Sequence, residues 1–341
     1  MAPKGDNVVV SNMKLENLLS MKGGETRSIH DSSIKRSPRC RATKLPESPF
    51  VVVDLGCSSG SNTIFVVDAI IKHMTKRYEA AGYESLNSQH SSPTSQATTS
   101  TLYFSFSSFS KRRSINLFHS AFSLHWLSQV PESVLDKTSA AYNEGMVFIH
   151  GANEHTTNAY KKQFKSDLSS FLRSRSKEMK KCGSMFLVCL GRTSQDPTDQ
   201  GGAGLLFGTH FQDAWDDLVQ EGLISKEKRD NFNIPVYASS VQDFREVIEA
   251  EGSFGINKLE LFKGGSPLVV NHPDDEAEVG LALANSCRSV AGVLVDAHIG
   301  DHLSEELFSR VERRAACHAK ETLEQIQFFH IVASLSFTAA T

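Results

Sequence analysis

Between positions 54 and 60 the chain reads Asp54-Leu55-Gly56-Cys57-Ser58-Ser59-Gly60. Glycines at 56 and 60 lack a Cβ, so backbone there can come close to a ligand. Backbone N–H groups at the start of a following helix bind a carboxylate or phosphate. The acid that opens the segment can hold an ammonium group or orient the turn. A ligand carrying both an ammonium and a carboxylate suits this arrangement, although a plain strand-to-helix turn has the same composition. A nicotinamide site prefers Gly-x-Gly-x-x-Gly with an acid about 20 residues further on. Cys57 takes the place of its middle glycine.

His125 and Trp126 are adjacent, shortly after the apolar run Ile115 to Phe118. Both carry ring N–H donors, and ligands of open α/β sheets sit at the carboxyl ends of strands. Such a pair can grip an anionic oxygen; by position alone the two read as core residues. Asn143 with Asp230, Phe232 and Asn233 offers side-chain and backbone oxygens of the kind Mg²⁺ takes. Turn chemistry before Pro235 is the simpler reading of that group. The cluster Gly201-Gly202-Ala203-Gly204 lacks Gly-Lys-Ser/Thr and does not follow a strand directly, so a loop over a pocket fits better than a phosphate loop. Gly56-Cys57-Ser58-Ser59-Gly60 has the bare spacing Gly-x-Ser-x-Gly, but nothing else in the chain supports a Ser-His-Asp hydrolase.

The elements that must position these groups are legible in part. Phe50 to Leu55 is a run of β-formers ending in an acid and reads as a buried strand. Residues 62–81 then show helical spacing of Ile64, Val67, Ile70, Ile71 and Met74. Strand, glycine turn and helix make the first half of a Rossmann-like unit. Residues 85–110 hold 14 Ser or Thr and little periodicity, so the core is expected to be eroded around 83–110, with only Thr101 to Phe106 strand-like. Further strands are expected at 115–118, 183–191, 258–262 and 329–336. Helices are expected at 7–22, 160–181, 211–231, 241–250, 274–285 and 304–323. The expected architecture is α/β: an irregular segment over 1–46, a core over 47–196, 255–270 and 326–338, and a helical cap over 197–254 and 271–325.

Apolar content of 40% and charged content of 22% are ordinary for a globular chain of 341 residues. A net charge of -3 and no basic face suggest neither a nucleic-acid nor a membrane-surface partner. No apolar run approaches the ~20 residues of a membrane span, and Met1 to Asp6 carries no hydrophobic signal region. The basic stretch 26–44 reads as a solvated loop. Six cysteines without a Cys-x-x-Cys pair disfavour zinc and a disulfide scaffold, and reduced thiols in the cytoplasm fit best.

The blocks VDLGCSSGSNT, FHSAFSLHWLSQVPESV, AYNEGMVFIHGANE and DNFNIPVY together resemble the plant SABATH carboxyl methyltransferases. The opening KGDNVVVSNMKLENLLSMKGG and the run GRTSQDPTDQGGAGLLFGTHFQDAWDDLVQEGL point to the branch that acts on indole-3-acetate. The resemblance covers 1–24, about 47–82, and 114–338. It implies a Rossmann-like sheet, S-adenosyl-L-methionine as cofactor, a small carboxylic acid as acceptor, a homodimer, and a Mg²⁺ site in some members. By position it places Asp54, Gly56, Cys57, Asn62, Ser108, Phe109 and Ala121 at the cofactor. It places Phe122, His125 and Trp126 at the acceptor, with Val290 and Phe328 as pocket walls and Gly208 making room for an indole. Asn143, Asp230, Phe232 and Asn233 match the metal site. No catalytic base is implied, because the carboxylate is already a nucleophile. Residues 25–46 depart from the family's N-terminal cover. Residues 83–107 contain no Asp to hold the nucleoside. A non-catalytic relative and a methyltransferase for another plant acid therefore remain as alternatives.

Overall fold

Alternating apolar runs and amphipathic stretches fold into a five-stranded mixed sheet flanked by helices. A computed structural model describes residues 51–55, 72, 76, 113–265 and 268–338. Strand β1 (Val52–Leu55) pairs parallel with β2 (Ile115–Ala121), and β2 with β3 (Met179–Gly191). After β3 the hand of pairing changes. β5 (Phe329–Phe337) lies antiparallel between β3 and β4 (Phe254–Lys263), giving the order β1-β2-β3-β5-β4. The carboxyl ends of β1, β2 and β3 and the amino end of β5 therefore share one edge. Every candidate cofactor and acceptor group among the described β-strand residues lies toward that edge.

Between β2 and β3 run α1 (Glu132–Leu135) and α2 (Glu154–Glu178). Helix α2 begins six residues before its apolar periodicity does, because the Asn153 side chain accepts from the Thr156 N–H. After β3 come α3 (Gly202–Phe207), α4 (His210–Gln220), α5 (Lys226–Asp230) and α6 (Val241–Glu251). The expected single helix over 211–231 is thus two, broken at Glu221–Ser225 where Gly222 takes a φ of 72°. Helix α6, inside the span expected for the cap, packs instead on α2 and β4.

The cap proper is α7 (Glu276–Ile299), α8 (Asp301–Cys317) and α9 (Ala319–Gln325), with α8 against α4 and α7 against α3. Gly300, at φ 81°, ends α7 and starts α8. By length and composition α7 could cross a membrane. Yet it buries Val279, Leu283, Cys287, Ala291 and Val295 and carries Glu278, Arg288 and Asp296, the pattern of a core helix. Residues 72 and 76 are helical, as expected of 62–81; the helix over 7–22 and the strand over 101–106 lie outside the described residues.

The thiol expectation needs one correction. Cys189, Cys287 and Cys317 are free, but Cys182 is disulfide-bonded. Spacing along the chain excludes only local pairs, so a distant partner leaves no mark in it.

Candidate active site

Strand β1 delivers Asp54 to the shared edge, and its register sets Asp54 directly beside His119 of β2. The His119 Nδ1 lies 2.7 Å from Asp54 Oδ1, and both side chains are largely buried. Phe186 of β3 stacks on the imidazole at 5.9 Å and 13°, which fixes the ring plane. The acid is thus oriented before any ligand arrives, which suits a site that holds a cofactor's polar groups at the end of β1. His119 carries no recognisable motif, and only the strand register reveals it. Ala121 closes β2 opposite Val188. Gly56, Cys57, Asn62, Ser108 and Phe109 lie outside the described residues.

At Phe122 the chain leaves β2 through a left-handed turn, φ 56°, with its N–H donated to Val188 O at 2.8 Å. A bulky residue in that region is strained and is held there by its surroundings. The turn is closed by Trp126 N–H to Ser123 O at 3.1 Å and by a 2.7 Å bond between the Ser120 and Ser123 hydroxyls. It is then clamped by the segment before and after Pro235: Leu127 donates to Pro235 O, Tyr237 donates to His125 O, and Trp126 bridges Val236. The blocks LHWL and NIPVY, about 110 residues apart, therefore form one structural unit.

His125 receives the Leu190 N–H on its Nδ1 at 3.3 Å. With Nδ1 accepting, the proton sits on Nε2, which is free to donate. Burial, reinforced by the neighbouring His330, lowers the His125 pKa to about 3, so the ring is neutral across the physiological range. Trp126 holds its ring 6.1 Å from that of His125. Phe122 meets His330 edge-on. The edge thus brings Phe122, His125, Trp126 and the unforeseen His330 together.

The other expected pocket residues lie on α3, α7 and the segment before β5. Phe328 precedes β5 and packs against Gly202 of α3, where a Cβ would come within 2.8 Å of its ring. Gly208 caps α3, and the side chain it lacks would meet His150 and the carbonyl of Gly204. His150 is seated against both glycines, with Gln200 N–H on its Nδ1 at 3.1 Å. Val290 is 37% exposed on α7, on a face shared with Val293 and Leu294. A surface cavity of about 390 Å³ beside Lys165 and Glu246 lies between α2 and α6, away from this edge.

Asn143, Asp230, Phe232 and Asn233 do come together, but the carboxylate and the amide N–H groups already have protein partners. Asn143 Nδ2 donates to Asn233 Oδ1 at 2.7 Å and to Phe148 O at 3.2 Å. Asp230 Oδ1 takes the Arg229 Nε and the Gly145 N–H, and Oδ2 takes the Tyr142 hydroxyl. Phe232 stacks on Trp215 at 4.6 Å. Arg229 Nη2, 2.9 Å from Asp230, already supplies the cation a carboxylate here needs. A neutralised carboxylate and an Asn233 oxygen already taken by Asn143 do not fit a Mg²⁺ site, which takes oxygens free to face the ion.

Gly191-Arg192-Thr193 proves to be an anchor. Arg192 is buried, donates to Ala238 O, lies over the Tyr237 ring and pairs with Asp243 at 2.9 Å. Burial alone would raise the Asp243 carboxyl; Lys161, at 2.7 Å, and Arg192 outweigh it and hold it at about 2. The same Asp243 completes the capping box of α6 with Ser240.

A model of the family described as SAM dependent carboxyl methyltransferase matches residues 20–91 and 104–337. That span takes in residues 25–46. Indole-3-acetate O-methyltransferase 1 of Arabidopsis thaliana is 57% identical over 386 residues, covering 99% of this chain and all of the relative. That aligned span exceeds the 341 residues here, so the relative carries segments this chain lacks. Indole-3-acetate O-methyltransferase 1 of Oryza sativa subsp. japonica is 47% identical, covering 98% of this chain and 97% of the relative. Among solved structures, a loganic acid methyltransferase with SAH superposes with a TM-score of 0.72 at 25% identity, covering 85% of each chain. With the parallel β1-β2-β3 edge, the acid ending β1 and the fixed His125-Trp126 turn, these matches establish that the chain belongs to the S-adenosylmethionine-dependent carboxyl methyltransferases.

Proposed function

We propose that the acceptor is indole-3-acetate and the product its methyl ester. The support is the named activity of two relatives, 57% and 47% identical, each aligned over nearly its whole length. The observation that carries the chemistry is the state of His125: neutral, Nδ1 occupied by Leu190, Nε2–H left to donate.

When bound, S-adenosyl-L-methionine supplies a methyl group already activated on a positively charged sulfur. A carboxylate is ionised at neutral pH and needs no base to become a nucleophile. What the protein must add is alignment and exclusion of water. His125 and the Trp126 indole N–H steer the carboxylate with neutral donors. An imidazolium would instead form an ion pair and withdraw the charge that attacks. Phe122, locked in its strained turn, gives the pocket an apolar wall, and opposite charges then cancel in a water-poor space. Asp54, held by His119, orients the cofactor side of the edge.

The test is a transfer assay with methyl-labelled cofactor and a panel of indole-3-acetate, salicylate and a gibberellin. Label is expected in the indole-3-acetate ester. Preference for another acid would refute the acceptor, and binding of S-adenosylhomocysteine without any turnover would mark the chain as a non-catalytic relative.

A further inference from the structure

His330 is the second residue of β5, opposite Leu190 of β3 and Phe262 of β4. It is 3% exposed. Phe122 meets its ring edge-on, with centroids 5.0 Å apart and planes at 80°. Among the described residues its Nδ1 has no hydrogen-bond partner. Gly264 closes on that side of the ring: a Cβ there would lie 2.8 Å from Nδ1. A buried N–H without an acceptor is the rarer defect, a lone pair without a donor the more tolerable one. The proton therefore belongs on Nε2. Burial keeps the ring neutral, with a pKa lowered to about 4.

His330 thus has the same chemical form as His125: a neutral imidazole with Nδ1 blocked and Nε2–H as donor. The two are near enough that a charge on one disfavours a charge on the other, and Phe122 forms a wall beside His330. An imidazole kept in a core with an unsatisfied nitrogen costs stability that an aromatic hydrocarbon would not. What a hydrocarbon beside Phe122 could not offer is the Nε2–H. We propose that His330 is a second acceptor-binding residue, whose Nε2–H donates to the substrate carboxylate alongside that of His125. Two neutral donors fix the carboxylate plane while leaving its negative charge available for attack. The inference rests on the carboxyl-transfer reading above.

His330→Phe and His330→Leu remove the donor and keep an apolar group beside Phe122; His330→Asn keeps a donor. Turnover against acid concentration is measured at saturating cofactor, with S-adenosylhomocysteine affinity by calorimetry and thermal midpoint as controls. Losing a hydrogen bond to a charged group should raise KM for the acid about 10-fold or more in both apolar variants, with cofactor affinity unchanged and the midpoint equal or higher. The Asn variant should recover most of that loss. Apolar variants that fold, bind S-adenosylhomocysteine and keep the wild-type KM would overturn the proposal. So would equal losses in all three variants, which mark packing alone. If the wild type methylates a different acid of the panel, the choice of indole-3-acetate fails, and His330 stands or falls on that acid by the same comparison.

Discussion

Two polar clusters in this protein carry residue types that bind ligands, and they differ in what is left over. Around Asp230 each carboxylate oxygen accepts at least one donor, from Arg229, Gly145 or Tyr142; the Asn143 amide donates to Asn233, and that of Asn233 to the Asp230 carbonyl. At the edge of β2, β3 and β5, His125 spends one nitrogen on the backbone, and His330 has an Nδ1 with no partner among the described residues. The first cluster stabilises the fold; the second is organised but unfinished. A binding site is recognised by the polar atoms its own structure does not use, more than by residue type.

That contrast is sharpest in the effect of removing one member. Asp230→Ala leaves the Gly145 N–H and the Tyr142 hydroxyl without their acceptor and Arg229 with Asp216 alone. Each lost hydrogen bond to a charged group is worth about 1.5–3 kcal/mol, so the urea midpoint should fall steeply. A loss within about 0.5 kcal/mol, typical of a surface change, would break the distinction. His125→Leu should act mainly on turnover. It removes one donor to a charged oxygen, about 1.5–3 kcal/mol or roughly 10-fold and more in kcat/KM. An unchanged kcat/KM with a large loss of stability would make His125 the structural group instead.

A graded effect follows from acid. The folded pKa values of His125 and His330 are lowered to about 3 and about 4. In the unfolded chain both take up protons below about pH 6.5, while the folded protein does not until far lower. Stability is therefore fully present above pH 6.5 and falls as pH drops below it, by about 1.4 kcal/mol per pH unit for each histidine. Urea titrations at pH 7, 6 and 5 should show the decline, and the His125→Leu variant should show a shallower one. The smallest effect concerns metal. Dialysis against a chelator should leave the thermal midpoint and turnover as they were, whereas a bound ion at 100 times its Kd would add about 2.7 kcal/mol of stability.

How much of this was legible from the chain depends on range. Strands β1 and β3 announce themselves as β-branched apolar runs, and His125-Trp126 could be placed after β2 by counting from Ile115. Ends of helices were less visible. Helix α7 runs to Ile299 rather than Asn285, because Cys287, Ala291 and Val295 continue its buried stripe past an interrupting Ser286-Cys287-Arg288-Ser289. His119, His330 and the Arg192–Asp243 pair left no signal. Each depends on register or on contacts between residues 51 to 208 positions apart in sequence. Asn143 and Asp230 show the converse: their types and proximity were readable, but that Arg229 and Tyr142 saturate them was not.

Neutral donors steering an already ionised acceptor can be tested through the pH dependence of kcat/KM for the acid, at saturating cofactor. Between about pH 6 and 8.5 the carboxylate is ionised and, in the folded state, His125 and His330 are already neutral and do not change charge. A level profile is expected across that range. A limb with an apparent pKa near 6.5, rising or falling, would show that a histidine changes charge during the reaction and would contradict the mechanism.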